Sequence, residues 1–150
     1  MKTINCFIPF QSVNKIYLLA DKTVSDKIDG CEVLTIESIF STSTIEQIAK
    51  HADAPYTLIY TKDATLRFGM FAIERILQLA NDSNAGLLYT DHYQIVDGKK
   101  TNSPVIAYQK GSLRDDFNFG SVLVYKSSAL KDAAARMDKK YKFAGLYDLR

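Results

Sequence analysis

No glycine-rich phosphate loop of the GxGxxG or GxxxxGK[ST] type occurs in the 150 residues, which argues against a dinucleotide oxidoreductase and against a P-loop enzyme. Histidine and cysteine are scarce, with two of each. His51 and His92 lie far apart with no ligand spacing around them, and no nucleophile-elbow motif is present. Neither a structural zinc site nor a Ser-His-Asp triad is therefore expected. Cys6 and Cys31 sit in apolar, strand-like segments outside any Cys-x-x-Cys pair, the setting of reduced core thiols. No apolar run approaches the roughly 20 residues needed to cross a bilayer. The apolar stretch at the start is too short for a signal peptide, so a cytoplasmic location follows. Charge of one sign is not in excess: 19 basic residues against 17 acidic give +2, which implies no nucleic-acid partner. Linkers, low-complexity tracts and internal repeats are also missing.

What is present is a composition of 47% hydrophobic and 24% charged residues, that of a globular chain. A chain of this length forms one domain, residues 1–150, and buries roughly 68–70% of its unfolded surface without disulfides or metal. Residues 56–69, YTLIYTKDATLRFG, are the centre of the pattern. Tyr56, Leu58 and Ile59 suit a buried strand, and the apolar residues from Phe71 to Ala80 recur three and four apart, as on one face of a helix. Between them lies a polar corner, Thr61-Lys62-Asp63-Ala64-Thr65. Ligands of open α/β sheets collect beyond the carboxyl ends of strands, so this corner is the first candidate for chemistry.

Further strands are expected at residues 4–9, stopped by Pro9, and at 16–20, 31–36, 85–89 and 121–125. Hydroxyl residues at 41–44 suit the N-cap of a helix that begins at Ile45 and ends near Ala52–Ala54, ahead of Pro55. Asp97-Gly98 marks a tight hairpin. A polar, aromatic, glycine-bounded loop over 111–120 precedes the last strand, and Ser127-Ser128 caps a short helix over 129–137. The alternation of strand and helix as far as Tyr89 points to a mainly parallel sheet with right-handed crossovers.

The corner YTLIYTKDATLRFG, followed by GLLYTDHYQIVDGKK, resembles the centre of family 2 glycosyltransferases of the GT-A fold, where the matching strand ends in an Asp-x-Asp corner. The resemblance implies an α/β fold, a mainly parallel central sheet flanked by helices, incomplete on the acceptor side. It also implies transfer of a sugar from a nucleotide-diphosphate donor to a glycan or lipid-linked acceptor. In the same terms Pro9, ending the first strand, and Asp21, following the second, are donor-binding positions. Asp63 keeps the second acidic place of the corner and would hold Mg²⁺ or Mn²⁺, weakened because Thr61 stands in the first place. Ala20 likewise replaces an acid before Asp21, and Gly145-Leu146 stands where the family carries the acidic pair that includes the base.

Sugar transfer needs the departing diphosphate stabilised and a base on the acceptor hydroxyl. Lys62 offers a point charge to the diphosphate without a metal. Arg114 offers a forked set of donors to a phosphate or to a neighbouring carboxylate. For the base, the sequence supplies Asp91, Asp115 and Asp116, with Asp91 and Asp116 as the catalytic candidates. A second reading is a module that keeps the fold for nucleotide-sugar recognition or partner docking without transfer. A nucleotidyltransferase ranks last, because the phosphate loop is missing.

Overall fold

The computed structural model describes residues 2–21, 28–111 and 117–149. A one-turn helix α1 (Lys2–Asn5) precedes strands β1 (Tyr17–Ala20) and β2 (Glu32–Thr35), helix α2 (Thr42–His51) and strand β3 (Tyr56–Tyr60). Helix α3 (Ala72–Ser83), strand β4 (Leu87–Tyr89) and the hairpin β5 (His92–Val96) and β6 (Lys99–Ser103) follow. Strand β7 (Val122–Lys126) and helices α4 (Ser127–Ala135) and α5 (Gly145–Asp148) complete the order. No helix of the described residues is long and apolar enough to cross a membrane.

The mainly parallel GT-A-like sheet expected from the sequence does not form. The described strands make a parallel pair β1-β2, an antiparallel sheet in the order β3-β7-β4, and the separate hairpin β5-β6. The reason lies in the path between β4 and β7. The chain leaves β4 at its carboxyl end, and Asp97 (φ 50°) and Gly98 (φ 74°) turn the hairpin back on itself. Among the described residues no helix between β6 and β7 carries the chain to the opposite edge, as a parallel crossover requires. Strand β7 therefore starts where β4 ends and runs back down, antiparallel to both neighbours. Its sequence, Val-Leu-Val-Tyr-Lys, suits that central seat, because a strand covered on both faces reads as a continuous apolar run.

Residues 4–9 are a second departure. They form the end of α1 and a turn rather than a strand, and Pro9 is exposed in that turn. Only a short connection separates this segment from β1, too short for a helical crossover to a parallel neighbour.

The serines expected to cap the helix after β7 lie inside α4, whose N-cap is Lys126, and the Ser127 hydroxyl instead bonds that of Thr57 (2.8 Å). Helix α2 follows its sequence signals more closely. Ser41 is the N-cap of α2: its side chain accepts a hydrogen bond from Thr44 N (3.3 Å) and donates one to Ser38 O (2.9 Å). The helix stops at His51, short of Pro55. Helix α3 runs through the turn-forming residues Asn81, Asp82 and Ser83, and closes on Asn84 in the left-handed conformation. The core lies between α2, α4 and the β7 face, where Ile45, Ala49, Leu123, Tyr125, Leu130 and Ala134 pack together. Phe119, expected in a polar loop, is buried in the same cluster and meets Tyr89 and Phe117 edge-on or tilted at 5.1 and 4.6 Å.

Gly145 explains one oddity of the sequence. Its N–H donates to Phe40 O (2.7 Å), and a Cβ there would stand 2.6 Å from the Ser41 carbonyl carbon and from Thr42 N. Those are backbone atoms at the start of α2, so no side chain fits where an acid was sought. Gly145→Ala is expected to cost about 1–3 kcal/mol through forced separation of α5 from α2. An unchanged thermal midpoint would contradict this packing.

Candidate functional site

The corner after β3 is fixed before any ligand arrives. Thr61 N–H donates to Ser121 O (3.0 Å), which ties the corner to the start of β7. Tyr60 OH donates back to Ala64 O (3.1 Å). The Thr3 hydroxyl donates to the same carbonyl (3.1 Å) and accepts from Leu66 N (3.1 Å). Burial raises the Tyr60 pKa, and the negative charge of Asp63 raises it further, so the phenol stays protonated and keeps its donor role at neutral pH. Lys62 and Asp63 are exposed on this braced corner, and neither makes an ion pair with another described residue.

Because β3 and β4 both run against β7, their carboxyl ends emerge at the same end of the sheet, one on each side of β7. Asp91 follows β4 at that end. It is exposed, and its Oδ1 accepts from Val105 N (2.7 Å), while Tyr89 OH donates to Ile106 O (3.0 Å). These two bonds hold the returning chain beside β4. Gly120 stands next to Thr90 with φ 77°, a conformation that excludes most side chains where the chain enters β7. Sequence reasoning set His92 aside for want of ligand spacing. The fold brings its ring close to Gly120, with both nitrogens buried and without a partner among the described residues. Nothing in the local sequence signals that burial, since it comes from the β4-β7 contact.

The predicted site residues thus divide. Lys62, Asp63 and Asp91 share one end of the antiparallel sheet, on either side of β7. Asp21 is exposed after β1 in the separate parallel pair, and Pro9 is exposed in the turn after α1. Arg114, Asp115 and Asp116 lie outside the described residues. A cleft of about 620 Å³ opens beside the corner and runs between β1 and β3, with Lys62 and Asp63 on its lining. Most of its wall is apolar, including Ile16, Leu18, Leu58 and Ile76.

An Mg²⁺ or Mn²⁺ at this corner would draw most of its octahedral oxygen shell from a ligand's phosphates and from water. Asp63 supplies one carboxylate, and the described residues contain no group of three His, Cys, Asp or Glu placed to share a metal. Both cysteines are free and half-buried rather than sealed in the core, and burial raises the pKa of each thiol. Cys6 also donates to Thr3 O (2.8 Å) as the neutral thiol. Iodoacetamide at mildly alkaline pH is expected to alkylate Cys6 several-fold more slowly than in the denatured chain. Equal rates in the two states would show a thiol that the fold leaves untouched.

The chain matches no protein-family model, no curated protein and no solved structure.

Proposed function

We propose that this domain binds a nucleotide-diphosphate sugar at the end of the sheet where β3 and β4 finish, with the Lys62 ammonium against the diphosphate. The observation that carries the reading is the braced corner: a lysine with no ion-pair partner among the described residues, held on a loop tied down by Thr61, Tyr60 and Thr3. Preorganisation of this kind lets a single charge act on a phosphate without first ordering the loop. Binding is favoured over sugar transfer because Asp91, the base candidate at that end, spends one carboxylate oxygen on Val105 N. In the transfer reading, a glycan or lipid-linked hydroxyl attacks the sugar and Asp91 takes its proton through the other oxygen. Either activity belongs in the cytoplasm, with the donor as the small-molecule partner.

Calorimetric titration with UDP- and GDP-sugars, with and without Mn²⁺, tests the reading on the wild-type chain and on Asp63→Ala. The expected result is metal-independent binding of at least one donor, and affinity in Asp63→Ala at least as high as in the wild type. Removing that carboxylate removes a repulsion on the diphosphate. Binding that requires Mn²⁺ and disappears in Asp63→Ala would assign the corner to a metal and remove Lys62 from its role. No heat in any arm would remove the donor altogether.

A further inference from the structure

We propose that the β5-β6 hairpin is a dimerisation arm, in which β5 pairs antiparallel with β5 of a second copy of this chain about a two-fold axis through Gln94. The product is a four-stranded sheet in the order β6-β5-β5-β6. The hairpin stands apart from both other sheets, and among the described residues neither of its edges carries a further strand. A lone two-stranded hairpin is marginal in water and gains stability from more strands or a packed face. Here both faces are open, with Tyr93, Ile95 and Val96 at 60, 67 and 61% exposed.

Charge selects the edge. Strand β5 reads His-Tyr-Gln-Ile-Val, with no lysine, arginine or carboxylate, whereas β6 opens on Lys99 and Lys100. Lysine on an edge strand discourages the addition of another strand, and an uncharged edge rich in aromatic and β-branched residues invites it. Joining β5 to β5 puts the uncharged strands inside and a lysine-bearing strand on each outer edge, so assembly closes at two copies. Joining β5 to β6 instead would leave an uncharged edge open for a third copy.

Register makes that edge self-complementary. Asp97 and Gly98, both at positive φ, are the centre of a two-residue turn, which bonds the N–H of its last residue, Lys99, to the C=O of its first, Val96. Counting back by twos, Val96, Gln94 and His92 address β6, and the N–H and C=O groups of Tyr93 and Ile95 point to the free side. Pairing about Gln94 sets Tyr93 of each copy against Ile95 of the other, and these are the positions that exchange backbone hydrogen bonds. Each is an aromatic and β-branched cross-strand pair. The Lys100 ammonium lies 3.7 Å from the centre of the Tyr93 ring, on the face that Tyr93 shares with Ile95. On the opposite face Gln94 meets Gln94 of the second copy in the closer kind of pair, where one amide donates to the other. His92 meets Val96, and Asp97 leaves the ladder at the turn, so no like charges face each other within the five residues.

Sedimentation velocity across a wide range of concentration tests this on the wild-type chain, on Gln94→Lys, on Gln94→Glu and on an equimolar mixture of the two variants. Gln94 is exposed, so both changes keep the monomer fold. One short strand per copy makes a small interface, below about 1,200 Å² and of the transient kind, so the wild-type mass should climb from one chain towards two as concentration rises. Each variant alone brings two like charges together on the axis and is expected to weaken association about fivefold or more. The mixture sets lysine against glutamate and should restore association to at least the wild-type level. A wild type that stays monomeric throughout overturns the arm. Equal association in the wild type and both variants overturns β5 as the joining edge. Weakening by both variants without recovery in the mixture overturns the axis through Gln94.

Discussion

Leu130→Ala is expected to cost about 2–5 kcal/mol and to lower Tm by on the order of 10 °C. Leu130 is 0% exposed on α4 and packs in the cluster formed with Ile45, Leu123 and Tyr125. Alanine removes the branched end of the side chain and leaves a void where α4 meets α2 and β7. A helix on one side and a central strand on the other leave little room for collapse, which places the cost in the upper part of that range. Domains of this size have a total stability of about 5–15 kcal/mol, so the loss is a large fraction of what holds the chain folded. Leu79→Ala is the matched control. Leu79 lies on the outer side of α3 at 52% exposed, and the same deletion there should move the melting curve little. Equal shifts for the two variants would contradict the position of the core.

Lys62→Gln is expected to weaken binding of the nucleotide-diphosphate donor about tenfold near physiological salt, while Lys62→Arg keeps most of it. The ammonium is exposed, so its attraction for a diphosphate is partly screened, and the difference between wild type and Lys62→Gln should shrink as salt is raised. Glutamine preserves the length and polarity of the side chain, which isolates the charge. Because Thr61, Tyr60 and Thr3 hold the corner through other atoms, the substitution leaves the loop in place. An affinity independent of both residue and salt would take Lys62 out of contact with the phosphates.

Local signals in the sequence carried well, and long-range pairing did not. Ser41 caps α2 because its hydroxyl reaches Thr44 N, a contact three residues long that the hydroxyl cluster already announced. Asp97-Gly98 makes its hairpin because both residues accept positive φ. The corner at 61–65 follows β3 as its polarity suggested. The strand at 121–125 was recognisable as apolar, yet its direction depends on where the chain stands after the β5-β6 hairpin, more than twenty residues earlier than Tyr125. No period or propensity encodes that. The expectation of a parallel sheet failed there, while Asp21 follows β1 in the separate β1-β2 pair. Segment 4–9 reads as a strand by composition, but its neighbours decide otherwise: Thr3 bonds to the corner at Ala64 and Leu66, and Phe7 and Phe10 set their edges against Phe68. Gly145 was read as the loss of an acid. Its meaning is steric, set by the backbone of Ser41 and Thr42, about a hundred residues away in sequence.

The site depends on β7 lying antiparallel between β3 and β4, since that is what brings the carboxyl ends of both strands, and so Lys62 and Asp91, to one end of the sheet. Nuclear Overhauser spectroscopy on the labelled chain reads this directly. Non-hydrogen-bonded antiparallel pairs bring α-protons of facing residues into close contact. The register predicts strong α-proton cross-peaks between Leu58 and Val124 and between Tyr89 and Leu123. Absence of both, with β3 found directly beside β4 instead, would contradict the fold and dissolve the shared sheet end on which the binding reading rests.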